Sequence, residues 1–180
     1  MLLQTLTENW WLLLLRGIVA IIFGVLAFTW PGVTLLTLVL LYGAYVGADG
    51  IFSLVAAVKG GAMMPRWWLV LVGLVGLGAA AVTFFYPHIT AFVLLMFVAA
   101  WAIIHGLLEI IGAIRLRKEI KGEWLLILSG LLSVAFGAFL VARPGAGAVA
   151  LIWVIGTYAV IFGALMIGLS IELRSLRPAV

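Results

Sequence analysis

Apolar residues along this 180-residue chain neither alternate nor fall into narrow stripes; they run on for membrane-length stretches, broken by short polar connections and three regularly placed prolines. Six stretches of about 20 residues or more can each cross a hydrocarbon core of roughly 30 Å. They are Trp10 to Phe28, Val33 to Val58, Trp67 to Tyr86, Ile89 to Ile114, Trp124 to Ala142 and Ala148 to Ile171. In lipid, backbone polar groups must be satisfied within a helix or around a closed barrel, and the dyad alternation of barrel strands is missing. The pattern predicts an all-α membrane protein of six transmembrane helices, forming one domain over residues 1–180.

The six stretches are three copies of one unit. Trp30-Pro31-Gly32, Tyr86-Pro87-His88 and Arg143-Pro144-Gly145 lie 56 and 57 positions apart (87 − 31 and 144 − 87). Fourteen, eleven and seven places before each proline stands a ladder of small residues: Gly17, Ala20, Gly24; Gly73, Gly76, Ala80; Gly130, Ser133, Gly137. Fourteen places after it comes an aromatic (Tyr45, Trp101, Tyr158), nineteen after it a glycine (Gly50, Gly106, Gly163), and twenty before it a tryptophan (Trp11, Trp67, Trp124). Registered self-similarity of this kind marks tandem repeats. The predicted repeats cover residues 10–58, 67–114 and 124–171, each a two-helix hairpin bent at its proline, and their simplest closed arrangement is a pseudo-threefold bundle. All three start on the same side, so they are parallel rather than inverted repeats, which speaks against a site that rocks between two halves.

Composition agrees, with 67% hydrophobic and only 9% charged residues, far from the roughly one-quarter charged usage of soluble domains. Cysteine is absent, which removes disulfides and thiolate chemistry. No basic segment precedes the first apolar run, so it reads as a retained span rather than a cleaved signal. The net charge of +4 does not describe a nucleic-acid surface, because the basic residues are divided among connections. Lys59 and Arg66 lie in the second, Arg115, Arg117, Lys118 and Lys121 in the fourth, and Arg174 and Arg177 in the tail, against Arg143 alone at the proline bends. The positive-inside rule then places both termini in the cytoplasm and the bends on the far side of the membrane. Membrane lipids are the expected partners, and the fourth connection suits anionic head groups as well as it sets orientation. Trp10, Trp11, Trp67, Trp68 and Trp124 at one boundary, with Trp30 and Tyr86 at the other, form interfacial belts.

Helices in lipid associate by close packing, which gives Gly17, Gly24, Gly73, Gly76, Gly130 and Gly137 a packing role. These small-residue faces outnumber what three hairpins obviously consume, leaving room for a homo-oligomer. Ionisable groups at bilayer depth cost about 2.5–3.5 kcal/mol on insertion scales, so each needs a partner or a task. There are four: Arg16, Asp49, His105 and Glu109. Arg16 and Asp49 stand fifteen before and eighteen after Pro31 and are expected to pair, either as a hairpin clasp or as part of a proton or ion site. His105 occupies the repeat position of Asp49, with Glu109 one turn further on; the two form a hydrogen-bonded polar pair or a proton relay. Phe162 and Met166 fill those positions in the third repeat. His88 is expected to be exposed at its bend. No nucleophile elbow, catalytic carboxylate pair, phosphate-cradling loop or metal cluster is legible, so no enzyme, cofactor or metal site is expected.

The small-residue first helix, the proline bend and the runs Tyr45-Val46-Gly47-Ala48-Asp49-Gly50 and Trp101-Ala102-Ile103-Ile104-His105-Gly106 resemble the HdeD-like family of small prokaryotic inner-membrane proteins associated with acid resistance. The resemblance spans nearly the whole chain, and Phe162-Gly163 departs from it in the third repeat. It implies a six-span membrane protein linked to acid stress, with no catalytic residues to carry over. The charge asymmetry predicts a definite labelling result. A cysteine placed beside Pro87 should react with an impermeant thiol reagent in intact cells, and one at Lys118 only after permeabilisation; the same access at both would refute the orientation.

Overall fold

The structure, a computed structural model, describes residues 10–60, 64–116 and 123–175. They form α1 (Trp10–Thr29), α2 (Pro31–Lys59), α3 (Arg66–Phe85), α4 (Pro87–Leu116), α5 (Glu123–Ala142) and α6 (Pro144–Ser175). All six are long and apolar enough to cross a membrane. The odd helices have 20 residues each, or about 30 Å at 1.5 Å per residue, the thickness of a hydrocarbon core. The even helices, of 29, 30 and 32 residues, overrun it. Of the basic residues that set the expected orientation, Arg117, Lys118, Lys121 and Arg177 lie outside the described residues.

The bends are tighter than the sequence pattern suggests. Each even helix begins at its proline, so a single residue (Trp30, Tyr86 or Arg143) separates the two helices of a repeat. Steric conflict with the proline ring drives the preceding residue out of the α region, and Tyr86 accordingly sits at φ −134°, ψ 62°. Proline itself is well suited to a first helical position, where its missing N–H would have had no partner anyway. The bend residue still bonds both ways: Tyr86 N–H donates to the Val82 carbonyl at 2.7 Å, and the Tyr86 carbonyl accepts from Ile89 at 3.0 Å. At its other end α2 is closed by Gly60, which donates to Ala56 at 3.1 Å and has φ 72°, the left-handed conformation that a helix terminus commonly assigns to glycine.

The chain divides into two compact units, one of Met1–Thr34 with Val149–Val180 and the other of Leu35–Ala148. In the second unit α2 packs on α3 and α4 on α5. A Cβ on Gly50 would come 3.0 Å from the Gly73 carbonyl oxygen, one on Gly130 2.6 Å from that of Gly106, and one on Gly137 2.7 Å from that of Ala99. In the first unit α6 packs on α1 in the same register: Cβ atoms on Gly17 and Gly24 would come 2.8 Å from the carbonyl oxygens of Gly163 and Gly156. The close seams are therefore α2–α3, α4–α5 and α6–α1. Each joins the first helix of one repeat to the second helix of the repeat before it, taken cyclically. The proline-bent pair α3–α4 makes far sparser contact than α4–α5. Sequence repeat and packing unit are thus offset by one helix, because the small-residue ladders, not the bends, decide where backbones approach.

Burial follows the register residue by residue. On the odd helices Gly17/Gly73/Gly130, Gly24/Ala80/Gly137 and Ala27/Thr83/Leu140 are all buried. On the even helices the same holds for Val39/Leu95/Ile152, Gly43/Ala99/Gly156, Gly50/Gly106/Gly163 and Ala57/Ala113/Ser170. Outside these seams the helices expose large apolar side chains such as Phe52, Phe85, Phe97 and Trp101, a surface suited to lipid rather than water. Several threonine hydroxyls in the spans are consumed locally, as where Thr157 donates to the Trp153 carbonyl at 2.8 Å. Two glycines on adjoining helices make the seam testable. Gly130→Ala should destabilise the detergent-solubilised protein by about 1–3 kcal/mol through overpacking. Gly112→Ala, where a Cβ meets nothing within 4 Å, should not lower the melting temperature.

Candidate functional site

The seam register fixes how far the polar residues lie from the helix ends. In the third repeat the buried Ser170 hydroxyl donates to the Trp10 carbonyl at 2.8 Å, tying α6 to the first described residue of α1. Ser170 is twenty-six positions after its proline, and Ala57 and Ala113 are its equivalents. Glu109 comes one helical turn before that level, about 6 Å, and Asp49 and His105 two turns before it, about 12 Å. All three therefore sit on even helices toward the end remote from the proline bends.

On α4 the His105 Nδ1 lies 3.5 Å from Glu109 Oε1, an i,i+4 contact that becomes an ion pair when the imidazole is protonated. The distance is long for a hydrogen bond. The two side chains differ in access: His105 is 55% exposed and Glu109 24%. The second carboxylate oxygen, Oε2, is enclosed and has no hydrogen-bond partner among the described residues. Such an oxygen is destabilising unless another group or a proton meets it. In the third repeat the equivalent of His105 is Phe162, which stacks on Tyr158 with ring centroids 5.9 Å apart and planes 17° from parallel. One repeat position is thus used for an exposed imidazole in one copy and an aromatic stack in another.

The remaining sequence candidates are spread over several helices. Arg16 on α1 and Asp49 on α2 are both exposed and belong to different units. His88 is the second residue of α4, within the helix rather than in a loop, and is exposed. Gly17, Gly24, Gly73, Gly130 and Gly137 are buried and Gly76 half-buried in the seams. Trp67 and Trp68 pack edge to face at 5.6 Å at the start of α3. Among the described residues no three His, Cys, Asp or Glu side chains gather where they could hold a metal ion. Sequence reasoning missed the hydroxyl contact between Thr83 and Thr90 at 3.2 Å across the α3–α4 bend. Their placement four before and three after Pro87, which puts them level on antiparallel helices, was the available signal.

Six membrane-length helices in three like repeats define a multi-pass membrane protein. A family model described as a short repeat of unknown function (DUF308) matches residues 15–85, 71–142 and 130–179, and the chain belongs to that family. The first two matches each run from one odd helix into the next, so each encloses a whole seam, α2–α3 or α4–α5. No curated protein and no solved structure matches the chain.

The unpartnered oxygen generates a directional prediction. Glu109→Met, which installs the side chain that Met166 supplies in the third repeat, should raise stability by about 1–3 kcal/mol by removing it. His105→Phe should change stability by less than about 1 kcal/mol, since the imidazole is half exposed and its 3.5 Å contact is long for a hydrogen bond. Thermal unfolding in one detergent checks both, and a destabilised Glu109→Met would show that the carboxylate is satisfied.

Proposed function

We propose that this is a non-enzymatic inner-membrane protein of the HdeD-like type, with both termini cytoplasmic, that contributes to acid or envelope stress resistance through lipid and protein partners. The observation that carries the reading is the threefold family match, since HdeD-like proteins belong to the same repeat family. The distribution of side chains supports it: buried positions are spent on helix seams, and apolar residues cover the rest. In this reading acid acts on the His105–Glu109 pair. Proton uptake changes the charge carried by α4 close to its polar end and so biases how that helix packs.

One observation favours a second reading, a small proton or ion pathway using Arg16, Asp49, His105 and Glu109: the enclosed Glu109 Oε2 without a partner. A groove on α4 lined by the apolar side chains of Phe97, Val98 and Trp101 weighs the other way. Survival at low pH and proton flux in liposomes separate the readings. Cells lacking the protein should die faster in acid, Glu109→Gln and Asp49→Asn should restore survival less well than the unsubstituted chain, and purified protein should leave flux at the level of empty liposomes. Flux that the protein raises and Glu109→Gln removes would instead establish the pathway.

A further inference from the structure

A groove of about 230 Å³ opens beside the α3–α4 bend, lined by Tyr42 of α2, Thr83 of α3 and Ile89, Thr90, Val93 and Leu94 of α4. No charged side chain among the described residues borders it. The direction of its threonine hydroxyls is fixed. The Thr83 hydroxyl has a single hydrogen and donates it to the Ala79 carbonyl at 2.8 Å. The 3.2 Å contact between Thr83 Oγ1 and Thr90 Oγ1 must then run from Thr90 to Thr83. Thr83 is only 1% exposed, so the chain of hydroxyls ends at Thr90, whose proton is used and whose oxygen offers only lone pairs.

The groove is not a by-product of the repeat. At the third bend the positions of Tyr42, Thr83 and Thr90 are held by Val98 of the preceding repeat, Leu140 and Gly147. Leu140 is fully buried there, with its Cδ2 only 2.9 Å from where a Cβ on Gly147 would stand. At the first bend they are Ile155 of the third repeat, Ala27 and Thr34, and the Thr34 hydroxyl turns back to its own Trp30 carbonyl at 3.1 Å. Among the described residues, only the bend at Pro87 combines a relay ending in a bare acceptor with an open apolar wall. Thr90 is three residues from Pro87, about 4.5 Å along the axis, so the acceptor stands where the span meets the polar boundary and the wall continues inward.

We infer that this groove binds a neutral amphiphile: an aliphatic chain laid along Ile89, Val93 and Leu94, with a hydroxyl at its end donating to Thr90 Oγ1. A carboxylate or ammonium would be desolvated without a counter-charge. An alkane would cover the acceptor and leave it unmet. The inference stands apart from the stress reading.

The test uses the full chain in lipid nanodiscs and three photoreactive probes of equal chain length carrying a diazirine: a primary alcohol, its methyl ether and a monoacylglycerol. Adducts are mapped by mass spectrometry. The alcohol, the glyceride or both should label Ile89, Val93 or Leu94 in excess over the methyl ether, which lacks the donor. Labelling by the glyceride alone assigns the site to a membrane lipid, and labelling by the alcohol alone to a free alcohol. Thr90→Val should reduce hydroxyl-probe labelling about fivefold and leave the ether unchanged. Thr83→Leu, which copies the filled third repeat, should abolish it; should that variant misfold, Val93→Phe closes the groove from its exposed side. Equal labelling by alcohol and ether, or labelling of these residues that survives a folded groove-filling variant, would overturn the inference.

Discussion

Two helices already in lipid gain nothing by hiding apolar surface from it, so what holds them together must come from fitting more closely to each other than acyl chains fit to either. Here that fit is reached where glycine on one helix leaves its neighbour's carbonyl oxygen within 2.6–3.0 Å of where a Cβ would project, as at Gly17, Gly50, Gly130 and Gly163. The spacing excludes any side chain larger than hydrogen. It also brings backbone into range of dispersion and weak Cα–H···O contacts along the seam. The seven-residue step between Gly17 and Gly24, or Gly130 and Gly137, keeps the contact on one face for the length of a span.

Because the seam joins each odd helix to the even helix of the preceding repeat, the third repeat finds its counterpart in the first. The α6–α1 pairing brings together residues as far apart in sequence as Ser170 and Trp10, which are hydrogen-bonded at 2.8 Å. The one-residue bends have a different task. They reverse the chain with the fewest unsatisfied backbone groups and leave the helices they join free to find other partners. The even helices, which begin at the bends and carry Asp49, His105 and Glu109, are the long ones.

Against this regular frame the polar positions are irregular. His105 with Glu109, Asp49 with Ser53 and Phe162 with Met166 share one pair of repeat positions. Thr83 and Thr90 share theirs with Leu140 and Gly147. A scaffold that needs only its small-residue seams tolerates such divergence away from them, and that is where distinct chemistry accumulates. The seam and span count were legible in the sequence because they follow from residue size and apolar length alone: Gly73, Gly130 and their equivalents announce themselves by register. Which helix each ladder meets was not legible, since a glycine face carries no label for its partner. The proline bend suggested the adjacent helix, and packing chose otherwise. The exposure of His105 and the orphan oxygen of Glu109 depend on side-chain direction, which spacing along one helix does not encode.

The claim on which the rest turns is that the last helix closes against the first through the same seam that joins the others. The chain has no cysteine, so an introduced pair reports without background. A Cβ on Gly156 of α6 would lie 2.9 Å from the Ala27 Cβ of α1, close enough that a small relaxation reaches the roughly 3.5–4.5 Å of a disulfide. The double variant Ala27→Cys, Gly156→Cys, oxidised in native membranes, should form an intramolecular bridge that holds the two ends of the chain together after cleavage in the fourth connection. Failure to bridge, or bridging only between separate chains, would contradict the account.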